Sequence, residues 1–203
     1  MDKKIILRDA TATIEEGLIF ARYLDEAAEG FFRFMLGRNS ADIIARAFTK
    51  TDHDLSHQNV TFAECDGHIV GMISGYTAQQ HRGSSFKPVK QDAGRWNLRI
   101  HIVSLLVAPF MRIIDSIADD DFYLQAIAVD KELRGEGIGS MLMNFIEDKA
   151  RLKGADRLAL AVSAKNEGAR RFYERRGFTV ESEWPKRLRI PALTFYRMTM
   201  TLK

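Results

Sequence analysis

Cysteine is nearly absent from this chain: Cys65 is the only one in 203 residues. A lone thiol excludes an internal disulfide framework and, with it, the small secreted scaffolds that depend on one. Proline is scarce as well, with four residues, at 88, 109, 185 and 191, and these mark the irregular places. No long apolar run occurs. The greasiest stretch, Ile100 to Ile117, is broken by His101, Pro109 and Arg112, short of the roughly 18 unbroken apolar residues of a membrane span. Nor is there an excess of one charge. Thirty Lys and Arg face 27 Asp and Glu, for a formal charge of +3, which calls for neither a nucleic-acid nor a membrane partner. The start, Met1-Asp2-Lys3-Lys4-Ile5, lacks the apolar core of a signal peptide, so the expectation is a cytoplasmic protein. Internal repeats and low-complexity tracts are missing too.

What the chain does have is an ordinary globular composition, 46% hydrophobic and 28% charged. At this length folding buries about 70% of the unfolded surface, so no staple is needed, and a single domain over 1–203 is expected. Ile5-Ile6-Leu7-Arg8 reads as a strand. Thr13 with Glu16 offers a capping box before a helix through Leu18, Ala21 and Leu24, and Ser40 is a candidate N-cap for a second helix. Val60 to Ala63 and Ile69 to Tyr76 flank Asp66-Gly67 as a two-residue hairpin, with Gly71 and Gly75 pointing to a bend or bulge. Residues 79–94 read as a polar loop. An amphipathic helical segment over about 95–118 follows, with apolar residues at 100, 103, 107, 110, 114 and 117.

The second half alternates cleanly: strand Phe122–Val129, helix Gly137–Lys153 closed by Gly154, strand Arg157–Val162, and helix Asn166–Arg176 closed by Gly177. Two strands, Val180–Trp184 and Thr194–Thr201, end the chain. Interleaved strands and helices predict an α/β fold with one mixed central sheet flanked by helices.

The strongest chemical signal is Arg134-Gly135-Glu136-Gly137-Ile138-Gly139-Ser140, between a strand and a helix. Alternate glycines let backbone N–H groups approach a ligand, and the helix start adds unpaired amides and a positive dipole end. Together these favour a pyrophosphate, with Arg134 adding charge at the mouth. A Walker A site is excluded because no lysine follows Gly139. A Rossmann fingerprint fails because the sixth position is Ser140 from Gly135 and Leu142 from Gly137.

The remaining pattern, [Arg/Gln]-x-x-Gly-x-[Gly/Ala], is filled by Arg134, Gly137 and Gly139. It is preceded by Leu124-Gln125-Ala126-Ile127-Ala128-Val129-Asp130. It is followed by Leu160-Ala161-Val162-Ser163-Ala164-Lys165-Asn166 and by Ala169-Arg170-Arg171-Phe172-Tyr173-Glu174-Arg175-Arg176-Gly177-Phe178. This succession, over about 121–180, resembles the coenzyme-binding core of the GNAT superfamily of N-acetyltransferases. The resemblance implies a sheet whose strand before the turn splays from its neighbour, with acetyl-CoA as co-substrate and no metal. It implies that Ile127, Ala128 and Val129 offer backbone groups to the pantetheine arm. Arg134, Gly135, Gly137, Ile138, Gly139 and Ser140 would then hold the diphosphate, and Asn166 would touch the coenzyme while capping its helix.

By the same resemblance Tyr173 is the general acid. It lies two helical turns past Asn166 on one face, and a phenol near pKa 10 is a reasonable donor to a thiolate near 8.5, both about their ordinary values. The Ile127 N–H is the expected oxyanion donor. No base stands out: Gln125 can hold a water but cannot be one, and Glu64 and Asp121 are candidates by strand location alone. His53 and His57 flank Asp54 without a third ligand, so no metal site is expected. The run Lys186-Arg187-Leu188-Arg189 reads as a solvated loop near the acceptor. The function implied is acetyl transfer from acetyl-CoA to a small-molecule or peptide amine in a ternary complex; a non-catalytic acyl-CoA sensor of the same fold is the alternative. The 95–118 segment is left open between core packing, a lid and a homodimer contact.

Overall fold

The structure is a computed structural model describing residues 4–85, 88, 89, 91, 117–185 and 194–202. Seven strands form one sheet: β1 Ile5–Asp9, β2 Val60–Cys65, β3 His68–Thr77, β4 Asp121–Val129, β5 Arg157–Ser163, β6 Thr179–Trp184 and β7 Phe195–Thr201. Their order across the sheet is β1-β2-β3-β4-β5-β7-β6. Every neighbouring pair is antiparallel except β4 and β5. A parallel pair requires a crossover, and a helix over Ile138–Leu152 supplies it. The described helices are α1 Ile14–Ala27, α2 Phe31–Leu36, α3 Ser40–Phe48, α4 Ala78–Gly83, α5 Ile138–Leu152 and α6 Glu167–Arg175. None of them is long and apolar enough to cross a membrane.

The two faces of the sheet hold separate cores. Phe20, Leu24, Ile43 and Phe48 from α1 and α3 pack with Phe62, Met72, Ala126 and Ala128 on one face. Leu142, Met143 and Ile146 of α5 pack with Ile73, Phe122, Leu124, Leu158 and Leu160 on the other, joined by Tyr173 of α6. Strand β4 contributes to both in a telling way. Phe122 and Leu124 face α5, and so do Ile127 and Val129, while Ala126 and Ala128 face α1. Strict alternation would put 124 and 126 on one side. The phase flips because Ser74 pairs with Ala126 and Gly75 with Leu124, leaving Gln125 as the extra residue of a bulge.

Gly75 is what lets the strands meet there. A Cβ at that position would stand 2.6 Å from Phe122 Cε1 and 2.8 Å from the Tyr123 carbonyl oxygen. The expected bulge near Gly71 and Gly75 is therefore present, but at Gly75 the inserted residue belongs to the partner strand. The hairpin turn is as read, with Asp66 and Gly67 at φ 49° and 79°, the signs a type I′ turn needs.

Several local expectations change. Residues 78–83 form α4 instead of a loop, with a full Thr77–Gln80 capping box. The N-cap of α3 is Asn39, one residue before Ser40. At α1 the box is half made. Thr13 Oγ1 accepts from Glu16 N at 3.2 Å, but the Glu16 carboxylate turns to Thr11 N at 2.6 Å and to Arg8 at 2.9 Å. The 95–118 helical segment and the 186–189 basic run lie outside the described residues, 117 and 118 apart.

His53 and His57 serve the fold. His53 is buried, its Nδ1 accepts from Leu55 N at 3.2 Å, and its Nε2 meets Ala47 O at 2.9 Å. His57 Nδ1 meets Phe48 O at 3.1 Å. Among the described residues no group of three or more His, Cys, Asp or Glu gathers for a metal.

Two predictions follow from this packing. Gly75→Ala should destabilise the protein by about 1–3 kcal/mol, the usual cost of overpacking, read as a lower urea midpoint at unchanged slope. Burial also holds the His53 pKa below its ordinary 6.5. The folded state then binds fewer protons than the unfolded one in the window just below 6.5. Stability present above that pH should fall as the solution is acidified through it, and His53→Gln should flatten the decline in a denaturation series.

Candidate functional site

The central feature of the sheet is a ladder that stops early. Strands β4 and β5 pair only at Asp121↔Arg157, Phe122↔Leu158 and Tyr123↔Ala159. Beyond that point β4 continues to Val129 along β3, and β5 continues to Ser163 along β7. The two strands separate where the Gln125 bulge bends β4. A wedge opens between 124–129 and 160–163, and the backbone groups facing across it are not paired with each other. Unpaired backbone N–H and C=O groups need a partner from water or a ligand.

Ile127, Ala128 and Val129 stand on one wall of the wedge. The Ile127 and Val129 side chains pack toward α5 and that of Ala128 toward α1. Side-chain packing and backbone exposure thus coexist on one strand. The Val129 carbonyl is already engaged, accepting from Arg134 Nε at 3.1 Å.

At the wide end of the wedge the chain enters a single 3-10 turn over Lys131–Leu133 and then the glycine segment. Gly135 and Gly137 sit at φ 89° and 87°, a region that favours glycine. The Glu136 amide bonds to the Leu133 carbonyl, and the first bond of α5 runs from Met141 N to Gly137 O at 3.0 Å. Among the described residues no acceptor meets the amides of Gly135, Gly137, Ile138, Gly139 or Ser140. Ile138 is buried and anchors the helix start, while 134–137 and Ser140 are exposed. The five amides therefore form a concave donor surface at a helix N-terminus, which suits an anionic group.

Gly139 is different. Its φ is not positive, and a Cβ there would meet Phe172 only at 3.7 Å, an ordinary contact. Inside the protein nothing requires glycine at this helical position.

Arg134 is less free than its place in the motif suggests. Its Nη2 pairs with Glu26 of α1 at 2.7 Å, so its charge is shared across the turn. Asn166 follows the end of β5. Its Oδ1 accepts from Ala169 N at 3.0 Å, capping α6, and its amide N bonds to Ser163 O at 2.9 Å.

Tyr173 lies on α6 with its ring 5.5 Å from both Phe172 and Phe178. Burial pushes its phenol well above the ordinary value near 10, and the neighbouring Tyr123 phenol pushes the same way. Tyr173 is thus protonated throughout the physiological range, as a proton donor must be. Tyr123, the last β4 residue paired with β5, is likewise raised by burial.

Neither carboxylate considered as a base is available. Glu64 takes Arg8 Nε at 2.7 Å, at the β1 edge. Asp121 is fully buried and takes Arg157 Nε at 3.0 Å, Ala118 N at 3.0 Å and the Arg197 guanidinium. Gln125 Oε1 accepts from Ser74 Oγ at 3.1 Å.

The sequence reading missed a row of rings on the α1 side of the sheet. His81 of α4 stacks on Tyr76 at 5.5 Å and 7°, and Tyr76 stacks on Tyr123 at 5.7 Å and 30°. His81 Nδ1 meets Asp54 Oδ2 at 2.9 Å. The Thr77-x-x-Gln80 box was the signal that could have placed His81 on a helix.

Comparison with known proteins agrees with this geometry. The sequence model of the acetyltransferase (GNAT) family matches residues 23–178. A crystallised acetyltransferase superposes with a TM-score of 0.69 at 22% identity, covering 98% of this chain and 100% of the other. An N-acetyltransferase from Staphylococcus aureus Mu50 superposes with a TM-score of 0.65 at 15% identity, covering 96% and 100%. At these identities the likeness is one of fold. N-alpha-acetyltransferase 30 from Schizosaccharomyces pombe is 39% identical over 56 residues, 28% of this chain; the match spans 37% of that relative's length.

Proposed function

The chain belongs to the acetyltransferase (GNAT) family, and from that premise we propose that it moves an acetyl group from acetyl-CoA to an amine by direct attack in a ternary complex. The observation that carries the reading is the wedge between β4 and β5 opening toward five unpaired amides. An extended amide-bearing arm fits the wedge as an added strand would, and a diphosphate fits the amides at the helix start. When bound, acetyl-CoA supplies the thioester whose acyl carbon the amine attacks.

The chain's own groups have separable tasks in this reading. Gly135, Gly137, Ile138, Gly139 and Ser140 hold the diphosphate through backbone N–H groups. Ile127 and Ala128 align the arm, and Asn166 offers its remaining amide hydrogens beside the wedge. The Ile127 N–H stabilises the developing negative oxygen. Tyr173 keeps its proton until the leaving sulfur needs it. The raised phenol costs driving force, but a thiolate leaving in the same buried surroundings would itself be more basic. With Glu64 and Asp121 committed to arginines, deprotonation of the amine falls to a water, which Gln125 can hold. A single buried Cys65 in no disulfide suits a reducing, cytoplasmic setting.

Calorimetry with acetyl-CoA tests the premise, with saturable micromolar binding expected. Gly139→Ala separates ligand binding from packing: it should leave stability unchanged or raise it by about 0.5–1 kcal/mol, the helix preference of alanine over glycine, while weakening coenzyme A. Equal affinity in this variant would remove the cradle assignment. Tyr173→Phe should lower turnover on the order of a hundredfold or more while coenzyme A binds as in wild type. Binding without transfer to any amine would favour the acyl-CoA sensor of the same fold.

A further inference from the structure

A second concavity lies where the segment between α3 and β2 meets α4. It is a cavity of about 310 Å³ lined by Asp52, His53, Asp54, Gln58, Asn59, Gln80 and Gly83. A volume of this size corresponds to about ten waters, far more than a bare ion needs, and it is at the small end of organic-ligand pockets.

The polar groups of its wall are unevenly satisfied. Gln58 Oε1 accepts from Asp52 N at 3.1 Å, Gln80 Oε1 from Thr77 N at 2.9 Å, and Asn59 Oδ1 from Gln80 Nε2 at 3.4 Å. Both ring nitrogens of His53 meet backbone groups, and burial keeps it neutral near pH 7. Asp54 Oδ2 is taken by His81. Asp54 Oδ1 is buried and has no hydrogen-bond partner among the described residues. An orphaned buried carboxylate oxygen is costly, and the lining holds a second carboxylate, Asp52, and no Lys or Arg. The missing partner is a donor carrying positive charge.

The place of the cavity connects it with the chemistry. Its Asp54 holds His81, and His81, Tyr76 and Tyr123 stack in a row that ends at the closed tip of the wedge.

We propose that this cavity binds an alkylammonium group of the acceptor other than the amine that is acetylated, with Asp54 as its counter-ion. The acceptor class is then a compound with two or more cationic amines. The inference rests on the amine-acetylation reading only for the word acceptor; the cavity's preference for an ammonium group is independent of turnover.

The test titrates diaminobutane and, as an uncharged control of the same length, butanediol into the full chain with coenzyme A present, by calorimetry. Diaminobutane should saturate and butanediol should not. Asp54→Asn should weaken diaminobutane about tenfold or more, the loss of one charge-assisted hydrogen bond. Gly83→Leu is the second variant: Gly83 lines the cavity and a Cβ there meets nothing within 4 Å, so the added side chain should be tolerated by the fold and should weaken diaminobutane binding. If Asp54→Asn does not fold, Gly83→Leu decides alone. No saturation by diaminobutane in wild type, equal binding of butanediol, or wild-type affinity in the folded variants overturns the proposal. Saturation without acetylation of any amine overturns the transfer reading and leaves the cavity assignment standing.

Discussion

The architecture of this molecule turns on two adjacent parallel strands being forced apart after three residue pairs. A sheet gains by extending its ladder, so separation has to be imposed. Gln125 imposes it: one surplus residue in β4 shifts the phase of the strand and bends it from β5, while pairing with β3 persists on the other edge. The glycine at 75 makes the arrangement possible by leaving room for Phe122 and the Tyr123 carbonyl. The wedge is thus a product of backbone register, and the side chains around it keep both cores filled.

The closed end of the wedge is held by charge. Asp121, at the start of β4, is gripped by Arg157 of β5 and Arg197 of β7, and both arginines reach Glu181 of β6. Four strands meet in one hydrogen-bonded cluster beneath the point of divergence. A buried cluster of this kind adds little net stability over apolar packing, but losing one member strands the others, so it fixes where the ladder ends. It also explains why a carboxylate on the motif strand is unusable as a base.

Much of the second half was legible in the sequence because its boundaries are set by local chemistry. Asn166 caps α6, and Gly154 and Gly177 stand at φ 74° and 93° just past α5 and α6. Signals of this kind act within a few residues and survive without knowledge of the fold. What was not legible depended on partners distant in the chain. Helix α4 has no apolar stripe, so only its capping box marks it. The owner of the bulged residue at Gly75 is decided by the facing strand. The Arg134–Glu26 pair joins positions 108 apart, and the ring row His81–Tyr76–Tyr123 exists only once β3, β4 and α4 are assembled.

The Arg134–Glu26 pair has a thermodynamic consequence. A dianion bound at the glycine turn, as proposed above, would meet a guanidinium that already has a carboxylate companion from the first helix. Drawing that guanidinium toward the dianion means giving up part of the companion's attraction, so occupancy of the turn and the hold on α1 are linked quantities. The first helix lies over the face that carries Ala126 and Ala128, the back of the wedge wall. The last turn of α1 and the glycine turn are thus neighbours that share one guanidinium, and any anion bound at the turn would compete with Glu26 for it.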